Sequence, residues 1–154
     1  MHSFDQLNLS NDSLKILKGL KFDNPTPIQE KVIPVALQGN DVMGTAQTGS
    51  GKTLSYILPI VEKLRKNVND KFLILAPTRE LSEQVFSVAK IFLGHGKPFK
   101  AINLIGGKGI FSQINQLKKN PQIIIGTPGR INDLLERKSF SLSKCSIVVL
   151  DEMD

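Results

Sequence analysis

The chain has 154 residues, 40% of them hydrophobic and 22% charged, which is the make-up of one soluble globular domain able to bury a core. Lys and Arg number 20 against 14 Asp and Glu, and the resulting net charge of +6 favours a polyanionic partner such as RNA or DNA. One cysteine, Cys145, excludes a disulfide framework and a CxxC metal site; His2 and His95 have no companion at metal-ligand spacing; and no apolar run approaches the ~20 residues of a spanning helix.

The first residues lack a basic region followed by an apolar run, so the chain reads as cytoplasmic, without a signal peptide and without a membrane partner. Further along, short β-branched runs alternate with amphipathic stretches. Asp41-Val42-Met43-Gly44 is expected as a first short strand, followed by strands over 72–75, 101–105, 123–125 and 147–150. The runs at Phe72, Ile123 and Ile147 are almost continuously apolar, the pattern of strands covered on both faces. Leu54, Ile57, Leu58, Val61 and Leu64 recur at helical spacing, with Pro59 favouring a kink. Leu81, Val85, Val88 and Phe92 repeat that spacing, and Ile131, Leu134 and Leu135 do so over a shorter helix. The alternation predicts an α/β fold: a parallel sheet flanked by helices on both faces. Ligands in such folds sit beyond the C-terminal ends of the strands. Polar or Gly-rich stretches at 45–53, 77–80, 106–107, 127–130 and 151–154 each follow a predicted strand, so they share one working edge.

Ala46-Gln47-Thr48-Gly49-Ser50-Gly51-Lys52-Thr53 fits the phosphate-loop pattern, with Ala46 where the stricter form has Gly. The glycines let the backbone curl until successive N–H groups face an anion, and a helix opening near Lys52 adds its positive end. Lys52 can then reach the β- and γ-phosphates, and the Thr53 hydroxyl can ligate Mg²⁺. At the other end of the chain, Asp151-Glu152-Met153-Asp154 follows the apolar run 147–150, as in a strand that delivers a carboxylate to a metal. Asp151 would hold Mg²⁺ and Glu152 would orient or deprotonate the attacking water. The plainer alternatives are a Gly-rich turn and a solvated acidic chain end.

Together these motifs resemble the DEAD-box RNA helicases of superfamily 2, over residues 4–154. The resemblance implies a RecA-like P-loop fold, truncated at its C-terminal side, with ATP and Mg²⁺ as cofactors and RNA as partner. Phe22-Asp23-Asn24-Pro25-Thr26-Pro27-Ile28-Gln29 looks like the family's Q motif, in which Phe22 would stack on adenine and Gln29 hydrogen-bond its edge. Phe4 matches the isolated upstream aromatic. Pro77-Thr78-Arg79-Glu80-Leu81, Gly106-Gly107 and Thr127-Pro128-Gly129-Arg130 are similar to motif Ia, the GG element and motif Ib, which line an RNA track. By that resemblance Thr78, Arg79, Gly106, Gly107, Thr127, Gly129 and Arg130 meet RNA phosphates, and binding is sequence-tolerant and salt-dependent. The alternatives are a core aromatic for Phe22, an exposed helix residue for Gln29, and helix N-caps for Thr78 and Thr127.

The domain reading is a Q-motif region over 1–30 and a partial RecA-like domain over 31–154, with the second RecA-like domain absent. Short N-terminus and Lys/Asn/Ile-rich composition look most like the RhlE-type bacterial branch. Three positions depart from the family: Lys21 stands where Gly usually precedes the Phe, Ser82 where motif Ia has Ala, and Met153 where the name motif has Ala. No Ser-Ala-Thr motif or arginine finger is present, so this length of chain is expected to lack RNA-stimulated turnover. Two rival readings are a non-catalytic product of a truncated or split gene that binds RNA or a partner, and a different P-loop enzyme.

Overall fold

The computed structural model describes residues 3–94 and 98–152; His2, His95, Met153 and Asp154 lie outside the described residues. The chain divides into two compact units, Met1–Lys66 and Asn67–Asp154.

The first unit is helical. A 3-10 turn at Phe4–Leu7 leads to α1 (Asn11–Gly19), α2 (Pro27–Leu37) and α3 (Lys52–Lys66). Ser10 caps α1, its hydroxyl accepting from the Ser13 amide at 3.3 Å. The helix ends when Lys21 turns left-handed, at φ 61°. The Lys21 amide then donates to Lys18 O at 3.0 Å and the Phe22 amide to Leu17 O at 2.9 Å. This is the paired closure that glycine makes most cheaply, and the lysine pays about 1 kcal/mol of strain for it. α2 packs against α3, and Phe4, Leu17, Ile33, Ile57, Leu58 and Leu64 are buried. α3 continues through Pro59 and α2 through Pro34.

The expected strand at 41–44 does not form; these residues belong to no strand. Gly44 lies against α2 instead, where an added Cβ would sit 3.2 Å from Ile28 Cδ1 and 3.7 Å from Val32 Cγ2. Met43 is 97% exposed. A strand exists only through a neighbour that pairs with its N–H and C=O groups, and local composition supplies no neighbour.

The second unit carries the sheet. Its elements are β1 (Lys71–Leu75), α4 (Arg79–Leu93), β2 (Ala101–Leu104), α5 (Ile110–Leu117), β3 (Ile123–Gly126), α6 (Pro128–Glu136) and β4 (Cys145–Leu150). All pairings are parallel, in the order β2-β3-β1-β4. The register aligns Leu73, Ile124 and Ile102 on one face and Ile74, Ile125 and Asn103 on the other. Leu117 of α5 with Ile131 and Leu134 of α6 cover the first face. α4 covers the second, where the buried Ser82 hydroxyl donates to Asn103 Oδ1 at 2.5 Å. Ser82, read in the sequence as a small departure, therefore has a dedicated partner inside an otherwise apolar strand run.

β1 and β3 are buried through their middles, as their continuous apolar runs predict. β4 is not: its residues alternate between half-buried and exposed, with Val148 55% and Leu150 60% exposed. It is an edge strand of this four-stranded sheet, so the expectation of cover on both faces fails there. Burial pushes the half-buried Cys145 thiol above its ordinary pKa, which suits a small apolar residue and not a nucleophile.

Candidate functional site

In the first unit the phosphate-loop segment forms a turn, with Ser50 N donating to Gln47 O at 3.1 Å, and α3 opens at Lys52. Gly49 and Gly51 adopt φ 83° and 87°, a region that side chains strain to reach. Gly51 is also sterically closed: a Cβ there would stand 2.5 Å from Gln29 Nε2 and 3.0 Å from Thr26 Oγ1. Lys52 and Thr53 occupy the first turn of α3, half-buried. Ala46 is half-buried, while Gln47, Thr48 and Gly49 are exposed at the tip of the turn.

Gln29 is 2% exposed, which removes the exposed-helix alternative. Its Oε1 accepts from Thr26 N at 2.9 Å and its Nε2 donates to Gly51 O at 3.0 Å. A primary amide has two lone pairs and two N–H groups, so one of each is left over after these bonds, the pair an adenine edge requires. Phe22, at the close of α1, is 47% exposed and not a core aromatic. Two hydroxyl oxygens here, Thr26 Oγ1 and Ser50 Oγ, are buried without a hydrogen-bond partner. A buried hydroxyl left unmatched costs about 1–3 kcal/mol. A phosphate oxygen placed at a curled, amide-rich loop at a helix N-terminus is the chemistry that relieves it.

In the second unit, three loops at the C-terminal edge of the sheet are wired together. Arg79 NH1 donates to Gly106 O at 3.1 Å and packs so closely on Gly107, at φ 79°, that a side chain there would have to push the guanidinium aside. Arg130 NH1 donates to Lys108 O at 3.1 Å and to Gln113 Oε1 at 2.9 Å, while Gln113 Nε2 donates to Ile105 O at 2.9 Å. Gln113, 3% exposed, is a residue sequence reasoning missed; a lone Gln on an amphipathic helix carries no signal of its buried role. Thr78 caps α4, its hydroxyl accepting from Leu81 N at 3.2 Å. Thr127 occupies the N-cap position of α6, as the alternative had it, but its side chain makes no capping bond. Gly129 follows in the first turn of α6 with open space about it.

Asp151 directly follows β4, 7% exposed, with its amide donating to Leu75 O at 2.9 Å. Two similar bonds continue across the sheet: Ala76 N donates to Gly126 O at 3.0 Å, and Thr127 N to Leu104 O at 3.2 Å. Glu152 follows with φ 51°, a left-handed conformation that a non-glycine residue rarely adopts. Among the described residues no group of three His, Cys, Asp or Glu side chains could cage a metal. Mg²⁺ does not need one, since it binds through one or two protein oxygens together with phosphates and water.

Compared with known families, residues 26–154 match the DEAD/DEAH box helicase family. The chain belongs to that family. It is 43% identical over 153 residues to the DEAD-box ATP-dependent RNA helicase CshA of Bacillus subtilis (strain 168), a match covering 99% of this chain and 31% of the relative. To the DEAD-box ATP-dependent RNA helicase CshA of Geobacillus kaustophilus (strain HTA426) it is 45% identical over 155 residues, covering 100% and 33%. The chain thus spans roughly a third of the length of these curated relatives. Both bear the CshA name, and the RhlE-type branch expected from composition finds no support in them.

Solved structures give the same picture of the fold. A DEAD box protein from the hyperthermophile Methanococcus jannaschii superposes with a TM-score of 0.90 at 40% identity, covering 97% of this chain and 41% of that one. A hypothetical ATP-dependent RNA helicase from Sulfolobus tokodaii superposes with a TM-score of 0.84 at 36% identity, covering 94% and 41%. The RecA-like fold is thereby established, and membership of the DEAD/DEAH box family displaces the rival of an unrelated P-loop enzyme. Among the described residues, no helix of this DEAD/DEAH box chain is long and apolar enough to cross a membrane.

Proposed function

We propose that this chain is the ATP-binding part of an RNA-dependent ATPase that opens short RNA duplexes locally. Residues 1–30 form the base-reading region and 31–154 the partial RecA-like domain. Phe22 and Gln29 receive adenine; 46–53 wrap the triphosphate; Lys52 neutralises it. Thr53 and Asp151 would hold Mg²⁺, which supplies charge neutralisation at the phosphates, while Glu152 orients the attacking water. Thr78, Arg79, Gly106, Gly107, Thr127, Gly129 and Arg130 bind the RNA backbone, without reading sequence and more weakly as salt rises. Turnover and unwinding are assigned to a protein of the relatives' length, in a cytoplasmic setting.

The observation that carries this reading is the orphaned Ser50 hydroxyl, buried in a two-glycine turn at the start of α3 with Gln29 bonded to the same turn. Titration of the purified chain with ATP and Mg²⁺ tests it. Lys52→Ala should weaken binding by about tenfold or more, the value of a charge-assisted bond. Unchanged affinity in that variant defeats the proposal.

A further inference from the structure

The segment that holds Phe22 is tied to α3 at both of its ends. One tie is the bond from Gln29 to Gly51, at the first turn of α3. The other is a buried carboxylate near the far end of that helix. Glu62, 6% exposed, accepts three hydrogen bonds from the start of α1: Ser10 N to Oε2 at 3.1 Å, Ser10 Oγ to Oε1 at 2.9 Å and Ser13 Oγ to Oε1 at 2.6 Å. Arg65 NH1 donates to the same Ser10 hydroxyl at 3.2 Å, which brings a positive charge one bond away from the carboxylate. Ser13 is fully buried. A carboxylate in the interior is expensive unless several donors meet it, and this one is met by two hydroxyls and an amide.

Nothing in the nucleotide chemistry reaches Glu62. At 1.5 Å per residue it lies roughly 15 Å along α3 from Lys52, and α1 from its cap at Ser10 to its close at Leu20 covers the same ~15 Å. The closure at Lys21 then hands the backbone to Phe22 through the bond to Leu17 O. α1 is thus a strut of fixed length: Glu62 anchors its N-cap and first turn, and Phe22 sits just beyond its other end.

We propose that Glu62 is a positioning residue for base recognition, setting where Phe22 stands relative to the phosphate loop. This rests on the adenine-reading assignment above. Loss of the anchor leaves the phosphate turn and its Lys52 in place and lets α1, and with it Phe22, shift. Its signature is selective: discrimination between bases falls while the affinity for bare phosphates stays.

The test uses the whole 154-residue chain with Mg²⁺ and three probes: ATP, GTP and inorganic tripolyphosphate. Glu62→Gln keeps the volume but turns an amide donor toward a set of donors. It should cut the ATP-over-GTP preference by about tenfold, the worth of one hydrogen bond to a charged group, and change tripolyphosphate affinity by less than about twofold. Ser13→Ala, nearly isosteric, should lower the preference in the same direction by a smaller factor and keeps the test alive if Glu62→Gln does not fold. Combined, the two should do no more than Glu62→Gln alone, because both cut one tie. Preference retained in both variants, or an equal loss for all three probes, overturns the positioning role. A wild-type chain that binds ATP and GTP alike overturns the adenine reading itself.

Discussion

Gly51→Ala separates backbone strain from crowding in the nucleotide loop. At φ 87° an alanine pays about 1 kcal/mol that glycine does not. Its Cβ would also stand 2.5 Å from Gln29 Nε2, so the Gln29 amide must withdraw and its bond to Gly51 O is lost. A neutral hydrogen bond of that kind is worth about 1 kcal/mol, which puts the whole effect near 2 kcal/mol. Gly49→Ala is the matched control: its φ is 83°, but nothing lies within 4 Å of the added Cβ, so it should lose only the backbone part, about 1 kcal/mol. Urea unfolding of both variants without ligand reads the difference. The double variant Gln29→Ala/Gly51→Ala completes a cycle in which the second substitution costs less than Gly51→Ala alone, since the amide is gone and only the Thr26 side chain, at 3.0 and 3.2 Å, still crowds the added Cβ. Equal losses at 49 and 51, or strict additivity between 29 and 51, would refute the close approach of Gln29 to the loop.

Two further variants probe the supports of the site. Lys21→Gly should raise stability by about 1 kcal/mol in urea unfolding, because glycine takes the left-handed turn at the end of α1 without strain, whereas Lys21→Ala should not. Gln113→Leu should cost about 2 kcal/mol by the same measure, since it leaves Ile105 O without its donor and Arg130 with only Lys108 O of its two acceptors. Amide hydrogen exchange at 105–109 should accelerate in that variant; unchanged protection there would show that Gln113 does not hold the loop.

Legibility from sequence followed how local each cause was. The runs at 72–75, 101–105, 123–125 and 147–150 became β1, β2, β3 and β4 within a residue or two, because apolar β-branched residues in short blocks have few other uses. The periodic stretches around Leu58, Val85 and Leu134 became α3, α4 and α6 for the same reason. What failed needed a partner elsewhere in the chain. The 41–44 run has strand composition but no ladder, and the apolar run of β4 has no cover on one face. α1, α2 and α5 were not singled out: α1 and α5 are short, and Pro34 interrupts the pattern of α2. Within the site, the Gly-rich turn and its helix were legible from spacing alone. That Gln29 is buried against Gly51, and that Gln113 ties Arg130 to the backbone at Ile105, depends on contacts across 22, 17 and 8 residues that no single window contains.

The three main-chain bonds at the sheet's C-terminal edge, from Asp151 to Leu75, Ala76 to Gly126 and Thr127 to Leu104, form a crossbeam from the acidic residue to the loops beyond β3 and β2. No exchange of side chains removes such a beam, proline at a donor position apart. Replacing a loop side chain on that rim therefore leaves the main-chain link between the acidic residue and its neighbours in place.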